Sequence, residues 1–211
     1  MKGILNTIRY TMDTVEDAAA RMKRGAMVAV PTETVYGLAV HAEDNAAVRA
    51  VYVTKVRDMS KPLSILVTGM DMVETYAQNI PQAAYKLAET YWPGPLTMIL
   101  ESSGTVASMV TADGDTLGVR CPDHPMTQAL IQALGAPLAA PSANPEGQPA
   151  PRTAQEVLDY FDGHIEGILD GGPCAVGVES TIVDLTGEEP RILREGGIPA
   201  QEILDFLKGL D

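Results

Sequence analysis

The chain has 211 residues, of which 45% are hydrophobic and 20% charged, and this balance excludes a disordered chain and supports a packed core. Its net charge of −13 argues against broad binding to nucleic acid or to anionic membrane, because both require clustered cations. The sequence contains no signal-peptide pattern and no apolar run of bilayer-spanning length, so we expect a cytoplasmic protein without membrane contact. Cys121 and Cys174 lack metal-ligand spacing, which predicts buried free thiols.

Apolar runs of strand length alternate with segments of helical period, which is typical of an α/β domain. The first helix is predicted over 14–24, with Asp13 as its N-cap and Gly25 at its end. Further helices are predicted from Asp44 into the basic segment 55–61 and over 81–91, 125–134, 153–161 and 199–208. Strands are predicted over 26–30, 63–67, 96–100, 117–120, 137–140, 167–170, 180–185 and 191–194. Because the last three strands are closely spaced, we expect antiparallel pairing there and one twisted mixed sheet, flanked by helices, in a single domain of residues 1–211.

The first candidate site is KVRDMSKPL, residues 55–63, which places Lys55, Arg57 and Lys61 close together in an acidic chain. This charge density suits phosphates, because lysine supplies a compact point charge and the arginine fork can hold two oxygens. Residues two apart share a side only on extended backbone, so Lys55 and Arg57 can act on one anion only if the helix ends near Thr54. The alternative is a solvated helix end whose cations favour the helix dipole.

The second candidate is APSANP, residues 140–145. Its two prolines exclude a regular helix, so Ser142 and Asn144 can present a hydroxyl and an amide together. The segment follows a predicted strand, and loops beyond strand ends are where ligands usually bind in α/β sheets. The alternative is ordinary turn chemistry.

The third candidate is DGGPCAVGVESTIVD, residues 170–184. Gly172 and Gly177 have the spacing that opens a P-loop, but the Lys-Ser/Thr pair that must follow is missing, so no Walker motif is present. The glycines still permit close approach of the backbone to a ligand, with the Ser180 hydroxyl at the start of a strand; a tight structural turn is the alternative. No GxSxG or HExxH pattern occurs in the chain, so a nucleophile elbow and a zinc site of that type are unsupported.

Seven blocks, in order along residues 13–198, resemble the YrdC/Sua5 family of threonylcarbamoyl-AMP synthases. They are PTETVYGLAV, KVRDMSKPL, WPGPLTMIL, LGVRCPDHP, APSANPEGQPAPRT, VGVESTIVDL and ILREGGI. The family signature, Lys-x-Arg followed distantly by Ser-x-Asn, stands here as Lys55, Arg57, Ser142 and Asn144. The resemblance implies a YrdC-like α/β fold. It also implies formation of threonylcarbamoyl-AMP and pyrophosphate from L-threonine, bicarbonate or CO2, and ATP, for the threonylcarbamoyladenosine modification at position 37 of tRNA.

The resemblance further implies a role for each site residue. The catalytic set would be Lys55, Arg57, Ser142 and Asn144. The nucleotide would be bound by Arg57, Lys61, Thr116, Ser142, Asn144 and Arg194. L-threonine would be bound by Thr32, Arg120 and Ser180. No protein metal site is implied, and Mg²⁺ is expected to arrive with ATP. Tyr36 is either a wall of the pocket or core, and Leu66 stands near where some members carry a His that helps to hold threonine, which leaves amino-acid specificity open.

The partners implied by the resemblance are ATP, L-threonine, bicarbonate, a separate threonylcarbamoyl transferase complex and a weak contact with tRNA. Three alternatives stay open at this stage. Related domains form carbamoyl-AMP from carbamoyl phosphate, other members of the fold are associated with RNA binding, and a paralogue could bind nucleotide without turnover.

Overall fold

The computed structural model describes residues 6–210, which form one 11-stranded sheet flanked by helices. The strands are β1 Ile8–Tyr10, β2 Val28–Val30, β3 Gly37–His41, β4 Ser64–Leu66, β5 Ala77–Gln78, β6 Leu96–Ser102, β7 Thr116–Arg120, β8 Leu138–Ala139, β9 Gly167–Leu169, β10 Thr181–Asp184 and β11 Arg191–Arg194. The α-helices are α1 Val15–Met22, α2 Asn45–Lys55, α3 Met70–Tyr76, α4 Gln82–Tyr91, α5 Pro125–Leu134, α6 Ala154–Phe161 and α7 Ala200–Lys208. Short 3₁₀ turns lie at Met12–Thr14 and Ser108–Val110.

The sheet is mixed, as predicted. Its strand order is β1-β9-β2-β3-β8-β4-β7-β6-β10-β11, and β5 pairs with β6 outside this path. In the middle of the sheet β4 and β7 are parallel, whereas β6 and β7 are antiparallel. The predicted α/β class and the mixed sheet are therefore confirmed.

Both faces of the sheet are covered, because alternate residues of a strand point to opposite sides. In β2, Val28 and Val30 pack against α1 and α5, while Ala29 between them faces the larger core that contains residues of α2, α4, α6 and α7. All three residues of β2 are buried. A strand that is buried on both faces has a continuous apolar sequence, which is why AMVAV indicates a buried strand.

The prediction that the last three strands pair with one another is wrong for β9. β10 and β11 are antiparallel, but β9 lies near the opposite edge of the sheet, parallel to β1 and β2. β10 takes β6 as its other neighbour, in parallel. The connection over residues 170–180 reaches on the order of 35 Å when extended, which suffices to cross the sheet. Short separation along the chain therefore does not fix pairing here.

The start of α1 also differs from its prediction. Asp13 lies in the 3₁₀ turn, and Thr14 occupies the N-cap position. The cause is local hydrogen bonding, because the Thr11 backbone N–H donates to Thr14 Oγ1 at 2.9 Å and closes the turn before the helix begins. Gly25, with φ +88°, follows the end of the helix. The sequence prediction also missed β1, β3, β5 and α3.

None of the helices within residues 6–210 is long and apolar enough to cross a membrane.

Candidate functional site

A cavity of about 190 Å³ lies over the middle of the sheet. Its walls come from the loop before β3, the segment that follows α2, the ends of β4 and β7, the loop after β8, and the chain around β10 and β11. Six of the predicted site residues line it: Thr32, Arg57, Arg120, Ser142, Ser180 and Arg194. The motifs that are far apart in sequence thus meet at one place.

Arg57 reaches the cavity because of the way in which α2 ends. Val56 adopts the left-handed conformation, with φ 54° and ψ 41°, and its N–H donates to Val53 O at 3.2 Å. The Arg57 N–H donates to Tyr52 O at 2.9 Å, which completes a Schellman motif. The chain therefore reverses after Lys55 instead of continuing extended from Thr54, so the condition under which Lys55 and Arg57 could act on one anion is not met. The Arg57 guanidinium is held by a hydrogen bond from Nη2 to Pro62 O, at 3.0 Å.

Lys55 is 2% exposed and does not line the cavity. Its ammonium donates to the backbone carbonyls of Ser142 and Asn144. Burial, followed by repulsion from the Arg57 charge, lowers the pKa of Lys55 to about 8. Lys55 of the signature therefore contacts the Ser-x-Asn loop, but this contact lies inside the protein and not on the wall of the cavity.

Ser142 and Asn144 have different environments. Ser142 lines the cavity and bridges to Gly37 at the start of β3. Asn144 is buried outside the cavity, and its side-chain Nδ2 donates to Gln148 O at 2.7 Å. Its Oδ1 has no hydrogen-bond partner within residues 6–210. Ser142 is thus available to a ligand from this side of the cavity, whereas Asn144 mainly holds its own loop.

Thr32 forms a tight turn rather than offering its hydroxyl to the cavity. Thr32 Oγ1 accepts the backbone N–H groups of Thr34 and Val35 at 3.1 and 3.2 Å and donates to Val35 O at 2.6 Å. It also lies 2.8 Å from Thr34 Oγ1. These contacts engage the Thr32 hydroxyl and shape this wall of the cavity.

Arg120 ends β7, and its guanidinium is fixed by two contacts. Nη2 donates to Glu33 Oε1 at 2.6 Å, and Nε donates to Gly94 O at 3.2 Å. Glu33 Oε2 in turn accepts the Asp123 backbone N–H at 3.0 Å. Sequence reasoning missed this pairing. The position of Glu33 next to Thr32 in PTETVYGLAV was the available signal.

Ser180 and Arg194 meet on the opposite wall. Arg194 donates through Nε to Ser180 O at 3.0 Å and through Nη2 to Ser180 Oγ at 3.3 Å. Ser180 Oγ lies 2.8 Å from Thr97 Oγ1, and Glu179 pairs with Arg194 at 3.0 Å. Gly196 packs so closely here that a Cβ would lie 2.2 Å from Glu179 O, which requires glycine at this position.

Tyr36 is both wall and core. It lines the cavity, yet it is fully buried, and its hydroxyl donates to Gly172 O at 2.8 Å and accepts the Gly171 N–H at 3.2 Å. Burial raises the pKa of the Tyr36 hydroxyl. Tyr36 therefore anchors the glycine-containing loop after β9, and Leu66 contributes an apolar patch to the same cavity.

Besides Asn144, two predicted nucleotide-binding residues, Lys61 and Thr116, lie away from the cavity lining. Lys61 is exposed, and its ammonium pairs with Glu146. Thr116 begins β7, four residues before Arg120, so it lies about 13 Å along the strand from that cavity residue. In the sheet, Thr116 lies opposite Glu101 of the antiparallel strand β6.

No group of three or more His, Cys, Asp or Glu side chains that could hold a metal ion occurs within residues 6–210. Glu179 is the acidic residue among those lining the cavity. One carboxylate is a poor cage but fits Mg²⁺ that is held mainly by phosphate oxygens. As predicted, Cys121 and Cys174 are buried free thiols.

The fold and the cavity define an α/β protein with an arginine-rich site suited to anionic ligands. The model of the Sua5/YciO/YrdC family, whose description reads "Telomere recombination", matches residues 20–196. The chain is 45% identical to the threonylcarbamoyl-AMP synthase of Pyrococcus abyssi and 42% identical to that of Bacillus subtilis. These matches cover 88% and 90% of this chain but 55% of each relative, so the chain spans about half the length of these curated relatives. The chain belongs to the Sua5/YciO/YrdC family.

Solved structures of the same family have the same fold as this chain. A structure of Pyrococcus abyssi Sua5 complexed with L-threonine matches with a TM-score of 0.93 and 41% identity, over 95% of this chain and 61% of that one. Escherichia coli YciO matches with a TM-score of 0.83 over 93% of this chain and 98% of that one. Because its identity is 22%, the second match supports the fold alone.

Proposed function

We propose that this chain forms threonylcarbamoyl-AMP and pyrophosphate from L-threonine, bicarbonate or CO2, and ATP. The observation that carries the proposal is one cavity in which Arg57, Ser142 and Arg194 adjoin Arg120 and Ser180. The names of the two synthases and the L-threonine in the Pyrococcus abyssi Sua5 structure support it.

The chemistry requires two kinds of binding groups. The carbamate of threonine attacks the α-phosphate while pyrophosphate leaves, so negative charge accumulates on phosphate oxygens, and fixed cations stabilise it. Arg57 and Arg194 are assigned to the phosphates. Arg120 is assigned to the threonine carboxylate because the arginine fork matches a carboxylate. No nucleophilic side chain is needed.

Mg²⁺ is proposed to enter with the triphosphate rather than to occupy a protein site. Glu179 is the lining carboxylate that could contact it, although the Arg194 pairing must then change. When bound, the ion would neutralise charge on the phosphates.

The proposed product is labile and would be consumed by a separate threonylcarbamoyl transferase complex acting on tRNA. A weak direct contact with tRNA is part of the same proposal. The net charge of −13 supports weak rather than extensive RNA contact, because extensive contact requires clustered cations.

The test is pyrophosphate release from ATP and bicarbonate, with and without L-threonine, and with serine or carbamoyl phosphate in its place. Threonine-dependent release supports the proposal. Release that requires carbamoyl phosphate would establish carbamoyl-AMP formation instead. Absent release combined with tight RNA binding would favour the noncatalytic RNA-binding module.

Variants then test the assignment of residues. Arg57→Ala and Ser142→Ala should lose most turnover while remaining folded, because both residues lie outside regular helices and strands. Arg191→Ala is the matched control, since Arg191 lies on β11 outside the cavity lining and pairs with Asp184. Unchanged turnover in folded Arg57→Ala and Ser142→Ala proteins would refute the site.

A further inference from the structure

The contacts of Lys55 differ from those of the other cations near the cavity. Arg57, Arg120 and Arg194 line the cavity, whereas Lys55 is enclosed and bonded to two backbone carbonyls of the Ser142–Asn144 segment. An ammonium has three donors and no acceptor, so these two carbonyls use most of its hydrogen-bonding capacity. Charge-assisted hydrogen bonds of this kind are about twice as strong as neutral ones.

The same segment is attached to its surroundings at further points. The Ala143 N–H donates to Tyr36 O at 2.8 Å. The Glu146 N–H donates to the backbone carbonyl of Lys55 at 3.0 Å. Lys55 therefore holds the segment through its side chain and the nearby Glu146 through its main chain. The Ser142 side chain lines the cavity beside these attachments.

We infer that Lys55 is a positioning residue, which holds the Ser142–Asn144 segment so that Ser142 faces the bound nucleotide, and that it makes no contact with phosphate. This inference rests on the proposed function for the identity of the ligand. It assigns the two charges of the Lys-x-Arg signature to different tasks. Arg57 binds the phosphates, and Lys55 orders the loop that meets them.

A direct phosphate contact by Lys55 conflicts with its surroundings. Lys55 is enclosed outside the cavity lining, so its ammonium would have to leave both carbonyls to reach a ligand there. The Ser142 carbonyl would keep the Asn144 N–H, but the buried Asn144 carbonyl would lose its donor. An unsatisfied buried polar group of this kind is costly. The two carbonyls therefore hold the Lys55 side chain in this position before any ligand arrives.

Hydrogen exchange and phosphate binding test the inference without turnover. In Lys55→Met, a neutral side chain of similar length, the amides of Ala143 and Glu146 should exchange at least tenfold faster, while amides in the middle of α2 keep their protection. The variant should bind inorganic tripolyphosphate within about twofold of wild type. Arg57→Met should show the reverse, with unchanged loop exchange and at least tenfold weaker tripolyphosphate binding.

A double-mutant cycle on ATP affinity adds a second readout. Removing Ser142 with Ser142→Ala should weaken ATP binding in wild type but have little further effect in Lys55→Met, because the hydroxyl is already misplaced there. Additive effects, or tripolyphosphate binding that falls in Lys55→Met as far as in Arg57→Met with unchanged loop exchange, would overturn the inference.

If Lys55→Met does not fold, Lys55→Gln provides a second test, because its uncharged amide keeps two donors that can still bind the two carbonyls. Retained loop protection and tripolyphosphate binding in Lys55→Gln would support positioning. Loss of tripolyphosphate binding with intact loop protection would contradict it. Since none of these measurements depends on turnover, they give a result even if wild type shows no threonine-dependent pyrophosphate release.

Discussion

The ion pair between Glu33 and Arg120 provides a quantitative test of the site. Arg120 Nη2 and Glu33 Oε1 are 2.6 Å apart, and the side chains are 8% and 10% exposed. At this separation the attraction is about 6 kcal/mol for an effective dielectric constant of about 20. Desolvation offsets part of it, and removing one partner of a buried pair typically costs about 3–5 kcal/mol. Glu33→Gln keeps an oxygen for the Asp123 N–H, so we expect the lower end, about 3 kcal/mol.

Thermal and urea unfolding at pH 7 would measure this loss. For a domain of this size about 1 kcal/mol corresponds to roughly 2–4 °C, so Glu33→Gln should lower the Tm by about 6–12 °C. Glu179→Gln is the matched control. Its Arg194 partner also lines the cavity, but the two side chains are 44% and 38% exposed, and such pairs contribute at most about 1 kcal/mol. Equal losses in the two variants, or a loss below about 1 kcal/mol in Glu33→Gln, would refute the reasoning from burial.

Three further predictions concern Lys55, Val56 and Arg194. Burial lowers the pKa of Lys55 from 10.5 to about 8, so the cost of its charge in the folded state is complete below pH 8 and disappears as pH rises to 10.5. The unfolding free energy of wild type minus that of Lys55→Met should therefore increase over this range in urea titrations, and a flat difference would contradict it. Val56→Gly removes a left-handed β-branched residue that is 80% exposed. Relief of the left-handed strain should stabilise the folded state by about 1–2 kcal/mol, and the extra backbone entropy of glycine in the unfolded chain offsets roughly 0.5–1 kcal/mol of this. The Tm measured by calorimetry should therefore rise by a few degrees. A lower Tm would show that the strain is absent. Arg194→Ala should raise the KM for ATP about tenfold or more, because a hydrogen bond to a charged group contributes about 1.5–3 kcal/mol. Arg191→Ala, on the same strand, should leave the KM unchanged. Equal KM changes in the two variants would exclude a specific role for Arg194.

Elements with strong local signals could be predicted from the sequence. The helix predicted over 125–134 has those bounds in the structure, since Pro125 opens it and Gly135, at φ +75°, ends it. α3 was missed because it is short and follows Gly69 without a side-chain cap. The position of β9 could not be predicted, because its partners β1 and β2 come from the other end of the chain.

The candidate site was predictable to the extent that its motifs flank strand ends. Arg120 is the last residue of β7, and Ser180 immediately precedes β10. Both residues line the cavity. The direction of Arg57 relative to Lys55 depended on a left-handed Val56, which sequence reasoning does not expect because β-branched residues rarely adopt that conformation. Glu33 was missed because its partner, Arg120, is distant along the chain and their proximity arises only from the fold.

The charges around the cavity bear on how a chain of net charge −13 would hold the proposed triphosphate. Arg120 and Arg194 are each paired with a carboxylate, Glu33 and Glu179. The hydrogen bonds of Arg57 go to backbone carbonyls, and it forms no ion pair with any residue in 6–210. Its positive charge is therefore the one left uncompensated at the cavity. Surface carboxylates more than about 10 Å away are largely screened at 0.1 M salt, so the potential at the site is set by these few groups rather than by the total. Triphosphate affinity should accordingly depend far more on Arg57 than on the net charge of the protein.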